Sequence, residues 1–119
     1  MAVGDLVNLK KYQDPVVAMH TAGTTIYLVT NSGELISYTI SGGATATVAH
    51  LSMSDVSAIW ADATYIYIGC RSGRLIRYTI STKVNAQIAK FDSAITALCV
   101  YTLLYVTLED GHMYSYALA

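Results

Sequence analysis

Three segments of this chain are near copies of one another. TTIYLVTNSGELISYTISG runs from Thr24 to Gly42, TYIYIGCRSGRLIRYTIST from Thr64 to Thr82, and TLLYVTLEDGHMYSYALA from Thr102 to Ala119, at spacings of 40 and 38 residues. Each copy is an alternating apolar run, a tight turn at Gly33, Gly73 or Gly111, and a second alternating run. Alternation at period two predicts a strand with one buried face. Glycine in the turn supplies the positive φ that a tight hairpin demands. Self-similarity at this period means one supersecondary unit repeated, each unit burying its apolar face against the next.

The repeat extends beyond the hairpins. Leu6–Tyr12 (LVNLKKY), Thr45–Leu51 (TATVAHL) and Asn85–Phe91 (NAQIAKF) match, with Leu9, Val48 and Ile88 equivalent, then Lys11, His50 and Lys90, then Tyr12, Leu51 and Phe91. A short polar link follows each: Gln13-Asp14-Pro15, Ser52 to Asp55, and Asp92-Ser93. Next come short apolar runs, Val16–Met19, Val56–Ile59 and Ile95–Leu98, which lead into the hairpins. Ten tyrosines and many β-branched residues suit pleated surfaces, and Pro15 falls between two strands, where a missing N–H is tolerated. The expected class is all-β. Four short strands per unit predict a β-propeller of three four-stranded blades, at about residues 16–51, 56–91 and 95–118. An immunoglobulin-like sandwich would not repeat threefold, and its Cys…Trp…Cys spacing is missing.

The segments NSGELISYTIS, RSGRLIRYTIS and EDGHMYSYALA resemble the turn and third strand of WD40-type repeats, in which an Asp-Gly turn precedes an apolar strand ending in Trp-Asp. IYLVT, IYIGC and LYVTL are similar to looser propeller repeats with a Tyr-Val-Gly or Tyr-Val-Thr strand before the turn. The resemblance covers nearly the whole chain and implies a fold, with no activity attached. Tyr38, Tyr78 and Tyr116 stand in place of the Trp, and Thr39, Thr79 and Ala117 in place of the Asp. No Gly-His dipeptide opens the repeats. What is implied is a divergent WD40-like propeller without the Asp and His hydrogen-bond network of that family.

Propellers close into rings, usually of 4 to 8 blades, so that every blade has two neighbours. Three blades leave an apolar face at each end of the row, and neither terminal repeat is more polar than the others. The expectation is closure by oligomerisation: a homodimeric ring of six blades, with a nine-bladed trimer, or an excised or engineered fragment of a longer propeller, as alternatives. The strand at 6–12 is expected to complete a neighbouring subunit's blade beside Met113–Leu118.

Chemistry-bearing residues are sparse. His20, His50 and His112 fall at unrelated repeat positions, and no Cys-x-x-Cys or His-x-x-x-His spacing exists, so no metal site is expected. The serines lack the G-x-S-x-G setting of an exposed nucleophile. Asp14, Asp55 and Asp92 lie in the polar links, where short carboxylates organise turns. No glycine-rich phosphate loop exists, no cofactor is expected, and the innermost strands carry mostly Val, Ala, Ile, Ser and Thr. The chain is read as a non-enzyme. A net charge of −1 gives no nucleic-acid footprint. The uncharged run Ser93–Leu108 is 16 residues long, short of the roughly 20 a bilayer-spanning helix needs. No signal peptide is evident. Cys70 and Cys99 sit at different repeat positions, which points to a reducing, cytoplasmic setting.

Specific contacts are sought where the repeats differ. Equivalent strand ends carry His20, Trp60 and Cys99, and the turns read Asn31-Ser32-Gly33-Glu34, Arg71-Ser72-Gly73-Arg74 and Glu109-Asp110-Gly111-His112. Trp60, Arg71, Arg74 and Arg77, expected together on one blade at the ring face of the turns, and with them Glu109 and His112, are the candidates for ligand or interface contacts, Trp and Arg being enriched in binding hot spots. The resemblance implies that such turns share the ring face WD40-type proteins use most for ligands. The expected function is a binding or scaffold module whose partner is itself and a further protein. The alternative is a lectin-like propeller stacking a glycan on Trp60.

Overall fold

The computed structural model describes residues 4–51 and 53–118, and all regular structure among them is β. Eleven strands follow one another: β1 (Val16–Ala22), β2 (Thr25–Thr30), β3 (Glu34–Thr39), β4 (Thr45–His50), β5 (Val56–Ala61), β6 (Tyr65–Cys70), β7 (Arg74–Thr79), β8 (Val84–Lys90), β9 (Ile95–Tyr101), β10 (Leu103–Leu108) and β11 (Met113–Tyr116). They form three antiparallel meanders, ordered β1-β2-β3-β4, β5-β6-β7-β8 and β9-β10-β11. The innermost strands stack side by side, β1 against β5 and β5 against β9.

The repeat is reproduced down to its irregularities. In each innermost strand one residue is bulged out of the ladder: Val17, Ser57 and Thr96. Both complete outer strands carry a second bulge, at Val48 and at Ile88. Bulges increase local twist and re-aim side chains. The turn glycines Gly33, Gly73 and Gly111 all adopt positive φ, of 88°, 91° and 94°.

Alternation sends one side of each sheet to each neighbour. Val29 and Leu35 of the first unit pack on Ile59, Ile66, Ile68, Ile76 and Tyr78 of the second. Tyr67 and Leu75, on the second unit's other side, pack on Ile95, Leu104 and Val106 of the third.

The segment 6–12 is the stretch expected to pair with a neighbouring subunit. It forms no strand within its own chain. The outer edge of its own sheet is already held by β4, so no ladder is open to it there. It lies instead as an arm beside the outward side of the first unit, where Val7, Leu9 and Tyr12 share a recess with Met19, Ile26, Leu28 and Tyr38. The third sheet has three strands among the described residues, with β11 at its edge.

Candidate functional site

The residues singled out in the second unit fall into two groups at opposite ends of its sheet. Ladder pairing places Val56 opposite Cys70 at the turn end, and Trp60 opposite Tyr67 nearer the other end. Trp60 is therefore remote from the turn that carries Arg71 and Arg74. The reason is the strand direction: β5 runs away from the β6–β7 turn, so its last residues reach the far side.

At the turn end, Asp55 is the organising group. Its carboxylate accepts from the Ser72 amide at 3.2 Å and pairs with the Arg74 guanidinium at 3.3 Å, while Arg74 Nε donates to the Ser72 hydroxyl at 3.2 Å. Burial pushes the Asp55 carboxyl up, but the Ser72 hydrogen bonds and the Arg74 charge outweigh it and hold the carboxyl below its ordinary range. Arg71 is exposed and donates to the Ser54 carbonyl at 3.4 Å. In the first unit Asp14 does similar work, accepting from Ser32 at 3.0 Å. Ala94 takes this place in the third unit, its carbonyl accepting from the Glu109 amide at 2.8 Å. His112 pairs with Asp110 inside its own turn at 3.0 Å.

At the far end a row of rings crosses two units. His20 stands 5.1 Å from Trp60, Trp60 6.3 Å from Tyr67, and Tyr67 6.0 Å from Tyr65, and the Arg77 guanidinium lies 4.9 Å above the Tyr65 ring. His20 Nδ1 accepts from the Ala61 amide at 3.1 Å. This row joins the units; Tyr67 is buried, His20, Trp60 and Tyr65 are half-buried, and the rings are engaged with one another. Among the described residues no three His, Cys, Asp or Glu side chains converge on a point.

The openings in the architecture lie at its two ends. Leu35, Leu75 and Met113 are equivalent, yet the first two are 0% exposed and Met113 is 68% exposed. The same contrast holds in the turns. The Leu51 amide donates to the Gly33 carbonyl at 2.7 Å, and Phe91 does the same to Gly73 at 2.8 Å. A Cβ on Gly33 would come within 2.3 Å of the Met53 carbonyl oxygen, and one on Gly73 within 2.2 Å of that of Phe91. A Cβ on Gly111 would meet nothing within 4 Å.

No protein-family model matches the chain, and no curated protein matches it by sequence. Its backbone is similar to solved structures. Against the computationally designed Ika4 protein it is 12% identical, with 99% of this chain and 100% of that one aligned at a TM-score of 0.65. Against U3-55K the identity is 14% over 92% of this chain, at a TM-score of 0.75. Against the designed Ika8 protein it is 18%, again over 92%, at 0.72. The fold is that of β-propeller blades. The chain spans 38% of the U3-55K chain and 35% of the Ika8 chain.

As a row of propeller blades, the molecule has a defined inside and two ends. Blades 1 and 2 are four-stranded, and each has its turn glycine covered by the end of its own outer strand. Blade 3 presents an open turn at Gly111, the β11 edge, and an outward side carrying Cys99, Tyr101 and Met113, all exposed. Sequence reasoning found the irregular turn residues, the β11 edge and an apolar face at each end, but not the uncovered Gly111 turn or the exposure of Cys99 and Tyr101. Their signal was present in the correspondence of Tyr12 with Leu51 and Phe91.

Proposed function

We propose that this protein is a non-enzymatic binding or scaffold module that acts as a closed ring, two copies supplying six blades. The match between the arm and blade 3 carries the reading. Blades 1 and 2 each close their turn with an amide from the residue equivalent to Tyr12, and the Gly111 turn is open in the same geometry. The arm sequence repeats the spacing of β4 and β8. Set beside β11 of a second copy, it supplies a fourth strand and carries the Tyr12 amide to the Gly111 carbonyl. Blade 1 of the chain that lends the arm then covers Met113 of the other copy, as blade 2 covers Leu35. The interface is head-to-tail, and its rotation closes.

The ring would be a rigid carrier whose variable turns present the exposed Arg71 and Glu109 to a protein partner. Trp60 is flanked by His20 and Tyr67. Its indole is engaged in packing, which favours the scaffold over a sugar platform at that residue.

The test is mass in solution by light scattering and native mass spectrometry. About two chains is the expected result; about three would replace six blades by nine, and a single chain at all concentrations would overturn closure. Gly111→Ala gives a sharper readout. Its only penalty within the chain is the positive φ, which Gly42→Ala shares at φ 89° with nothing within 4 Å. Assembly should be lost in Gly111→Ala and kept in Gly42→Ala.

A further inference from the structure

We infer that the arm, residues 5–12, is a self-cap that must leave its own blade 1 before the ring can close; this rests on the closed-ring reading above. The arm has two seats, and they exclude each other.

The first seat is the one the structure shows. Val7, Leu9 and Tyr12 stand with Met19, Ile26, Leu28 and Tyr38 around a recess of about 340 Å³ on the outward side of blade 1. The Tyr12 hydroxyl lies 3.4 Å from that of Thr45, and Lys10 and Lys11 border a second recess with Glu34. Leu28 and Ile36 are buried although they belong to neither inter-blade core. On blade 2 the equivalent side is Ile59, Ile66, Ile68, Ile76 and Tyr78, all buried beneath blade 1. The arm therefore occupies the surface that a preceding blade takes elsewhere in the row.

The second seat is the β11 edge of another copy, for which the arm carries the spacing of β4 and β8. In a closed ring, blade 3 of one copy lies on the outward side of blade 1 of the next. The arm of that next copy then sits at the rim of the joint, as β4 and β8 sit in theirs. One surface cannot hold both the arm and a blade. Release of the arm and closure of the ring are one exchange, in which a loosely fitted cover gives way to a packed blade. The fit is loose by the structure's own measure: the recess persists beneath the arm, and Leu6 and Leu9 are exposed. Segments with few buried contacts open at low free energy.

Val7 separates the two seats. It lines the recess in the first, where it is 57% exposed and keeps part of its side chain against blade 1. In the second it takes the position of Ala46 and Ala86, both exposed on their strands. Val7→Asp should weaken the self-cap alone. The expected result is assembly at a several-fold lower protein concentration, and unchanged or weaker assembly would overturn the inference. Location is read independently with Asn8→benzoylphenylalanine, a photo-crosslinker at a position that lines the recess and whose equivalents Thr47 and Gln87 are exposed, in mixtures of isotopically light and heavy chains. Single chains should crosslink within the chain to Met19, Ile26 or Leu28. Assembled chains should crosslink between chains to β11. Assembly with the arm still crosslinked to its own blade 1 would overturn the exchange and leave the ring standing. Intact self-crosslinking with no assembly at any concentration would overturn the ring itself, and with it the second seat.

Discussion

The Phe91 amide donates to the Gly73 carbonyl at 2.8 Å, tying the end of the blade 2 outer strand over the turn between its middle strands. The approach is so close that a Cβ on Gly73 would stand 2.2 Å from the Phe91 oxygen and 3.0 Å from that of Ser93. Both are backbone atoms and cannot swing aside. Gly73→Ala therefore carries two penalties: the left-handed φ, about 1–2 kcal/mol, and displacement of the chain after β8. Gly42→Ala carries the first alone. Denaturant unfolding should show Gly73→Ala less stable by about 3–5 kcal/mol in total, well beyond Gly42→Ala. Equal losses in the two variants would mean that the link after β8 yields freely.

How much of this was legible beforehand follows from where each signal is stored. Hairpin alternation and the Gly33, Gly73 and Gly111 turns are local, so three units and their strand order could be read directly. The bulges at Val17, Ser57 and Thr96 could not, because an extra residue in one strand shows only against its partner. The location of Trp60 depends on strand direction: equivalence to His20 and Cys99 was readable, but distance from Arg74 needed the ladder. The arm's resting place could not be read either. Its spacing encodes a strand, and the structure offers its own chain no edge to join.

The Asp55 carboxylate makes the blade 2 turn sensitive to acid. Burial raises its pKa, and the Ser72 hydrogen bonds with the Arg74 charge lower it further than burial raises it, so the net direction is down from 3.8. The unfolded chain therefore takes up this proton more readily than the folded one. The stabilisation is present above the ordinary value and is lost as pH falls from there through the folded value. Asp55→Asn should cost about 0.5–1 kcal/mol at neutral pH, in keeping with a partly exposed ion pair. That difference should shrink as pH falls below 3.8 and through the folded value. Thermal unfolding of both proteins across this range is the measurement, and a constant difference would remove Asp55 as the acid-sensitive group.

The Tyr78 ring is fully buried between blades 1 and 2, and its hydroxyl is the one buried side-chain polar atom without a hydrogen-bond partner among the described residues. Burial pushes its pKa up, with Tyr27 adding to the effect. An unpaired buried hydroxyl costs about 1–3 kcal/mol. Tyr78→Phe keeps the ring and removes the unpaired group, so it should raise stability by about 1 kcal/mol. Tyr38→Phe and Tyr116→Phe, at the equivalent but less buried positions, should change little. A loss of stability in Tyr78→Phe would show that the hydroxyl is satisfied in solution.

Fit between neighbouring blades is set by a pair of positions whose sizes are matched. Gly69 in blade 2 stands where blade 1 has Val29 and blade 3 has Thr107, and it faces Ile95 of the next blade. A Cβ on Gly69 would lie 2.5 Å from Ile95 Cγ2 and 3.1 Å from Ile95 Cβ. The Ser57 hydroxyl, bulged out beside this contact, shares its one hydrogen between the Gly69 and the Ile95 carbonyls. It locks the two strands at that separation, so blade 3 cannot back away to admit a methyl group. Gly69→Ala should cost about 1–3 kcal/mol by overpacking, and Ile95→Ala about 2–5 kcal/mol by leaving a cavity. Together they should cost less than the sum, because each fills or frees the space the other disturbs. A coupling of at least about 1 kcal/mol in the double-mutant cycle is expected. Additive losses would mean that blades 2 and 3 adjust independently of this contact.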